Sequence, residues 1–232
     1  MSPRVDHVQR SVLALVGRGE LPFALLHGSP LYVHAVRALA EVGSRDISVV
    51  ADQRHLEDVR RQVARVAPRA RVVDEAVWWR EVSADPGSLL VHDPLCPLAS
   101  AEFLGSVAEE AERERVTMVA IRPVTDTVKT VVDDRIQGTI DRESLAGLIA
   151  PLVVTGSVVE AAVAADDPPP LADFGELVTW LRARGRVVLV KGPSLARRVD
   201  DTSAVNLLEC VDELSRRVRT EPRPQSRSVS DA

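Results

Sequence analysis

This sequence of 232 residues contains little cysteine and few aromatic side chains. The two cysteines, Cys96 and Cys210, are too few for a disulfide framework and too far apart in sequence for a zinc motif. Aromatic residues make up 3% of the chain, so its core must consist mostly of Val, Leu and Ala. No apolar run approaches the roughly 18 residues of a membrane span, and the N-terminus has no signal-peptide pattern. We therefore expect a cytoplasmic protein with no membrane partner.

Lysine is also scarce, because only Lys129 and Lys191 occur among 29 basic residues. Lysine is the usual point charge for phosphate, whereas the guanidinium of arginine offers bidentate donors to phosphate oxygens. The net charge is −5, whereas a protein that binds nucleic acid needs a basic face to neutralise phosphates. The composition therefore predicts no nucleic-acid partner.

Short β-branched segments alternate with longer helical patterns along most of the chain. Strands are predicted at 47–51, 71–74, 88–92, 117–121 and 186–190, and helices at 53–66, 101–115 and 203–218. Ser100 is the expected N-cap of the second of these helices. This alternation predicts an α/β fold with a doubly wound, mostly parallel sheet. Ligands of such a sheet bind beyond the carboxyl ends of its strands.

One segment breaks the alternation. Residues 129–140 contain two β runs around Asp133 and Asp134, which indicates a hairpin. We expect a protruding β-arm over about 127–150, and such an arm is a candidate contact between two copies of the chain. The polar segment 220–232 is rich in Pro and Ser and is predicted to be disordered, which leaves one domain over residues 1–219.

Three groups of residues are candidates for chemistry. Gly17-Arg18-Gly19 is either a plain loop or a turn that holds phosphate, although its spacing matches neither a P-loop nor a dinucleotide motif. His92 and Cys96 follow a predicted strand, but no nearby residue would orient them as a nucleophile and base. Arg197 and Arg198 lie between the last strand and the last helix, where they either form surface ion pairs or contact phosphate.

Five segments, in order, resemble the 2-C-methyl-D-erythritol 4-phosphate cytidylyltransferase family. They are residues 25–39, residues 89–98 (similar to V-H-D-A-A-R-P), residues 123–129 (similar to P-V-T-D-T-I-K), residues 139–145 (similar to T-x-D-R-x-x-L) and residues 188–199. The resemblance covers roughly residues 21–215. It implies a Rossmann-like nucleotidyltransferase of isoprenoid biosynthesis, which joins CTP to a sugar or polyol phosphate and releases pyrophosphate. It also implies a homodimer formed through the arm.

The resemblance assigns roles to individual residues. It places Asp93, Thr127 and Arg142 on the sugar-phosphate side of the site, with Thr127 and Arg142 carried by the arm. Arg198 replaces a phosphate-handling lysine and would be catalytic in an active protein, and Arg18 is the candidate contact for the nucleotide. No metal ligands are implied, and Mg²⁺ is the expected cofactor only if the chain is active.

The departures from the family pattern concern the nucleotide side. The family's Gly-rich loop and the lysine after it hold the triphosphate of CTP, whereas Leu21 stands near the lysine position and Glu20 precedes it. The family's arginine after the H-D-A-A segment is Cys96 here. We therefore expect a non-catalytic or regulatory homologue that retains a sugar-phosphate ligand. The alternatives are an active nucleotidyltransferase with altered nucleotide handling and a purely structural subunit.

Overall fold

The structure, a computed structural model, describes residues 10–220. Thr220, the first residue of the predicted disordered tail, is the last residue of a helix. The remainder of that tail, residues 221–232, lies outside the described residues.

Strands and helices alternate along the chain, as the sequence predicts. The strands are β1 (Arg10–Ala14), β2 (Leu25–Leu26), β3 (Ser29–Pro30), β4 (Asp46–Val50), β5 (Arg71–Val73), β6 (Leu89–His92), β7 (Thr117–Pro123), β8 (Val128–Val132), β9 (Arg135–Ile140), β10 (Ala146–Val154) and β11 (Val187–Lys191). The helices are α1 (Leu31–Val42), α2 (Leu56–Val66), α3 (Glu75–Ala84), α4 (Ala101–Glu114), α5 (Gly156–Ala164), α6 (Phe174–Arg182) and α7 (Thr202–Thr220).

Seven strands form the central sheet, in the order β11-β7-β10-β6-β1-β4-β5. All neighbouring pairs are parallel except those of β10, which is antiparallel to both β6 and β7. The inner strands β1, β4 and β6 are buried along almost their whole length, as expected where helices cover both faces of such a sheet. The predicted α/β fold with a mostly parallel sheet is confirmed.

Side-chain caps determine where several helices begin. Ser100 accepts a hydrogen bond from the backbone N–H of Phe103 at the start of α4, as predicted, and Asp74 accepts one from Val77 at the start of α3. These bonds satisfy backbone donors that the first helical turn leaves without a partner. The helices then pack against an aliphatic core in which Trp78 is buried.

The predicted hairpin consists of β8 and β9. Its turn residues Asp133 and Asp134 have φ values of 47° and 59°, and a two-residue hairpin of this kind needs positive φ at both positions. The hairpin lies away from the central sheet, and Val131 and Ile136 on it are exposed. From Ala146 the chain re-enters the central sheet as β10. Among residues 10–220, no helix is long and apolar enough to cross a membrane.

Candidate functional site

The candidate site lies where two adjacent parallel strands end. β1 and β6 pair in register, with Leu13 opposite His92, so the segments after them begin at the same edge of the sheet. The turn after β1 contains Arg18, and Asp93 directly follows β6. Sheet topology therefore brings together two candidates that are 75 residues apart in sequence.

Asp93 is completely buried and lies between two arginines. Its Oδ1 accepts hydrogen bonds from the backbone N–H of Leu95 at 3.0 Å and from Nε of Arg18 at 3.3 Å. Its Oδ2 accepts one from Nε of Arg198 at 2.9 Å. A buried carboxylate is tolerated only when it is paired and hydrogen-bonded, and both oxygens of Asp93 meet that condition within the protein.

The other donors of Arg18 are directed at backbone carbonyls. Its Nη2 donates to the carbonyl of Leu171 at 3.1 Å, and its Nη1 donates to those of Val16 and Ala172. The guanidinium carbon lies 4.8 Å from the centre of the Phe174 ring, a cation–π arrangement. Only 4% of the Arg18 side chain is exposed. Arg18 thus binds the segment 171–174 and has little capacity left for a ligand.

Some backbone donors of the same turn are also used internally, whereas among residues 10–220 the N–H groups of Gly17, Gly19 and Glu20 donate to no backbone carbonyl. The N–H groups of Leu15 and Val16 donate to the carbonyl of Val50 at 2.8 and 3.2 Å, and that of Arg18 donates to Leu15 at 3.3 Å. Gly17 has a φ of 74°, and a Cβ there would lie 2.5 Å from the carbonyl oxygen of Ala172. The turn therefore packs directly against segment 171–174.

A pocket of about 660 Å³ opens beside these residues. Its lining comes from the turn after β1, the segment after β6, the start of β10, the start of α6 and the segment before α7. The lining residues are Gly17, Arg18, Leu21, Leu95, Gly147, Leu148, Ala172, Asp173, Phe174, Gly175, Arg198 and Asp200. The pocket is at the predicted edge of the sheet.

Arg198 is the most available cation of this pocket. Its side chain is 36% exposed, and within residues 10–220 its terminal guanidinium nitrogens form no hydrogen bond. Burial lowers its pKa, but the adjacent Asp93 carboxylate raises it, and the net effect leaves the pKa of Arg198 above its ordinary value. Arg198 therefore stays charged and can bind an anion through its two terminal nitrogens.

Two predicted residues lie elsewhere. Thr127 and Arg142 flank the β8–β9 hairpin, are exposed, and do not line the pocket. Arg142 donates from Nη1 to the carbonyl of Thr125 at 2.8 Å, which joins the two ends of the arm. Within one chain, the structure brings together Arg18, Asp93 and Arg198 but neither Thr127 nor Arg142.

His92 and Cys96 do not form a nucleophilic pair. Burial lowers the pKa of His92 to about 4, so its ring is neutral near pH 7. Burial also raises the pKa of the Cys96 thiol, and its sulfur accepts a hydrogen bond from the N–H of Ala150 at 3.4 Å. A neutral, buried thiol is a poor nucleophile, in agreement with the sequence analysis.

Two carboxylates of the pocket were not predicted. Asp173 caps α6 by accepting hydrogen bonds from the N–H groups of Gly175 and Glu176, and Asp200 precedes α7. Asp173 and Glu176 have the spacing of a capping box, which signals a helix start but not a binding site. Among residues 10–220, no three His, Cys, Asp or Glu side chains form a group that could hold a metal ion.

Comparison with known proteins identifies the family. The family model of 2-C-methyl-D-erythritol 4-phosphate cytidylyltransferase matches residues 19–209. A protein of that name from Rhodococcus jostii is 30% identical over 173 residues, which cover 72% of this chain and 76% of that protein. One from Frankia casuarinae is 31% identical over 190 residues, which cover 75% of this chain and 69% of that protein.

Solved structures agree on the fold. The crystal structure of 2-C-methyl-D-erythritol 4-phosphate cytidylyltransferase from Thermus thermophilus superposes with a TM-score of 0.65 at 18% identity, over 88% of this chain and 98% of that chain. The 4-diphosphocytidyl-2C-methyl-D-erythritol synthase of Anaerococcus prevotii gives a TM-score of 0.66 at 15% identity, over 88% and 97% of the two chains. The sequence match and the shared Rossmann-like fold lead to one conclusion: the chain belongs to the 2-C-methyl-D-erythritol 4-phosphate cytidylyltransferase family.

Proposed function

We propose that this chain is a non-catalytic member of its family, with a regulatory or partner role, that binds a small sugar phosphate through Arg198. The observation that carries the proposal is the burial and internal hydrogen bonding of Arg18. The cation that stands in the nucleotide loop has only 4% of its side chain exposed and is hydrogen-bonded to Asp93, Leu171 and Ala172. A triphosphate at this turn would have to compete with these internal bonds.

Beyond Arg18, the turn offers a polyanion some backbone donors but also a nearby negative charge. The N–H groups of Leu15, Val16 and Arg18 are bonded to backbone carbonyls, whereas within residues 10–220 those of Gly17, Gly19 and Glu20 are not, and Glu20 adds a negative charge that pairs with Arg54 at 3.4 Å. Nucleotidyl transfer depends on positioned donors that stabilise charge on the phosphates, and one missing donor typically reduces the rate by about 10²–10³-fold. Because several such donors are missing together, we expect the rate of nucleotidyl transfer to be too low to detect.

The alternative is an active nucleotidyltransferase with altered nucleotide handling. Two observations favour it: the terminal nitrogens of Arg198 form no hydrogen bond within residues 10–220, and the pocket beside them measures about 660 Å³. In that case Arg198 would be catalytic, and Mg²⁺ would be held mainly by the phosphates of CTP, as is usual for this ion.

We also propose that residues 1–219 form one domain and that the protein is a homodimer through the β8–β9 arm in the cytoplasm. Val131 and Ile136 on the arm are 57% and 69% exposed, and burying them against a second copy is favourable. Ile136→Asp should convert the dimer to a monomer in light scattering, whereas Val218→Asp, at an exposed site on α7, should not. A dimer that survives Ile136→Asp would contradict the arm interface.

The proposed cytoplasmic location fits the state of the cysteines. Cys96 and Cys210 are free thiols, which suits a reducing compartment.

The decisive experiment measures pyrophosphate release from CTP, Mg²⁺ and 2-C-methyl-D-erythritol 4-phosphate. The Rhodococcus jostii relative provides the positive control at equal concentration. We expect no release above that of a protein-free sample. Turnover within about 100-fold of the control would overturn the non-catalytic proposal and favour the alternative.

A further inference from the structure

Three carboxylates lie beside the two arginines of the pocket, and this excess of negative charge limits the class of ligand that can bind there. We propose that the pocket binds a small monophosphate that also carries an ammonium group, such as an amino-sugar phosphate. This inference rests on the proposed function, because it specifies the ligand class of the same site. It follows from the positions of Arg198, Asp173 and Asp200 in the pocket lining.

The phosphate end of the ligand is determined by Arg198. Its Nε is already bonded to Asp93 at 2.9 Å, so the terminal nitrogens are the atoms left for a ligand. Two terminal N–H groups on one side of a planar guanidinium match two oxygens of a phosphate. Because Arg18 is buried and hydrogen-bonded to the backbone, the pocket provides one such phosphate contact.

The ammonium end is determined by Asp173 and Asp200. The N–H groups of Glu176 and Gly175, together with the nearby Arg18 and Arg198, hold the pKa of Asp173 below its ordinary value, so its carboxylate is charged at neutral pH. The two N–H groups both bond to Oδ1 of Asp173, and Oδ2 remains for a ligand. Asp200 is exposed and lies near enough to Arg198 to raise its pKa.

The charge balance disfavours a ligand with several phosphates. Arg18 and Arg198 contribute two positive charges, and Asp93, Asp173 and Asp200 contribute three negative charges. The site therefore has one net negative charge, and like charges at close range repel. A monophosphate with its own cation places its phosphate against Arg198 and its ammonium group against the aspartates. A pocket of about 660 Å³ has room for a phosphorylated hexose.

Calorimetry with two matched probes tests this inference. D-glucosamine 6-phosphate and D-glucose 6-phosphate differ by an ammonium group in place of one hydroxyl. We expect glucosamine 6-phosphate to bind about fivefold more tightly, which corresponds to one favourable exposed ion pair. The Asp200→Asn variant should reduce this preference to about twofold or less. Asp201→Asn is the matched control, because Asp201 caps α7 through the N–H of Ala204 and does not line the pocket.

The outcomes separate this inference from the proposed function. A preference for glucosamine 6-phosphate that Asp200→Asn removes and Asp201→Asn leaves unchanged supports the inference. Equal affinity for the two probes overturns the inference but leaves the sugar-phosphate site in place. If neither probe binds, both the inference and the proposed sugar-phosphate ligand are overturned. Pyrophosphate release, measured separately, decides only whether the chain is catalytic.

Discussion

Arg198 donates from Nε to Oδ2 of Asp93 at 2.9 Å, and this bond determines which atoms of the guanidinium can reach a ligand. The aspartate is completely buried, whereas the side chain of the arginine is 36% exposed. Because Arg18 bonds to the other carboxylate oxygen, Asp93 also joins the turn after β1 to the segment before α7. Asp93 is therefore a positioning residue for Arg198 and a structural link between two parts of the pocket.

Replacing Asp93 should be costly for the fold. Asp93→Ala would leave the buried guanidinium of Arg18 without its carboxylate and would place two uncompensated cations side by side. Removing one partner of a buried ion pair typically lowers the free energy of unfolding by about 3 kcal/mol or more. Urea denaturation measures the change. Asp85→Ala is the control, since it removes a largely exposed partner of Arg10 and should cost less than about 1 kcal/mol. Equal losses in the two variants would contradict this account.

Gly17 should tolerate no side chain, because it contacts segment 171–174. In Gly17→Ala, the added methyl group would lie 2.5 Å from the oxygen of Ala172 in a backbone with φ of 74°. Left-handed strain and overpacking together predict a loss of about 3 kcal/mol in the free energy of unfolding. Gly19 has a φ of 58° but no atom within 4 Å of the added position, so Gly19→Ala should cost only about 1 kcal/mol. If chemical denaturation gives the same loss for both, the turn does not pack against Ala172 in solution.

Arg198 should carry most of the affinity for phosphate. Arg198→Gln removes the positive charge from the pocket, and we expect the dissociation constant of D-glucose 6-phosphate to increase at least tenfold in calorimetry. Arg197→Gln removes the same charge one residue away, outside the pocket lining, and should change the constant less than twofold. Similar effects of the two substitutions would mean that general surface charge, and not this site, binds the phosphate.

His92 should make stability depend on pH. Its ring is completely buried, neither nitrogen has a hydrogen-bond partner in the described part of the chain, and its pKa is lowered to about 4. Between about pH 6.5 and 4 the unfolded chain binds a proton that the folded chain does not, so stability decreases as the pH falls through this range and is unaffected above it. At pH 5 the loss from this group is about 2 kcal/mol. Urea denaturation measures this effect. Between pH 7 and pH 5, the free energy of unfolding should fall by about 2 kcal/mol more in the unsubstituted protein than in His92→Gln. Parallel losses would contradict a buried neutral ring.

The alternation of strands and helices could be predicted from local patterns, although strands β1 and β10 and helices α1, α3, α5 and α6 were not among the predicted elements. The predicted strands at 47–51 and 88–92 and the helix capped by Ser100 depend on apolar runs and caps that are visible in the sequence. Strand β10 was missed because Pro151 lies inside it, and proline supplies no donor to a sheet. The structure accommodates this residue with an irregular register between Leu148 and Leu152.

The candidate site was only partly predictable. Asp93 was indicated by the family resemblance, and Arg198 also by its position between the last predicted strand and the last predicted helix. The contacts of Arg18 could not, because its partner Leu171 is 153 residues away and only the folded chain brings them together. The sequence indicates an arginine in a glycine-flanked turn, but it does not reveal that carbonyl groups occupy its donors.

Titration with CTP and Mg²⁺ in a calorimeter tests the central claim most directly, because it measures the nucleotide side of the site without requiring a reaction. The guanidinium of Arg18 and the N–H groups of Leu15, Val16 and Arg18 are bonded within the chain, so we predict no saturable binding up to about 1 mM CTP, with the Rhodococcus jostii relative as the positive control. A dissociation constant in the micromolar range for this chain would contradict the account.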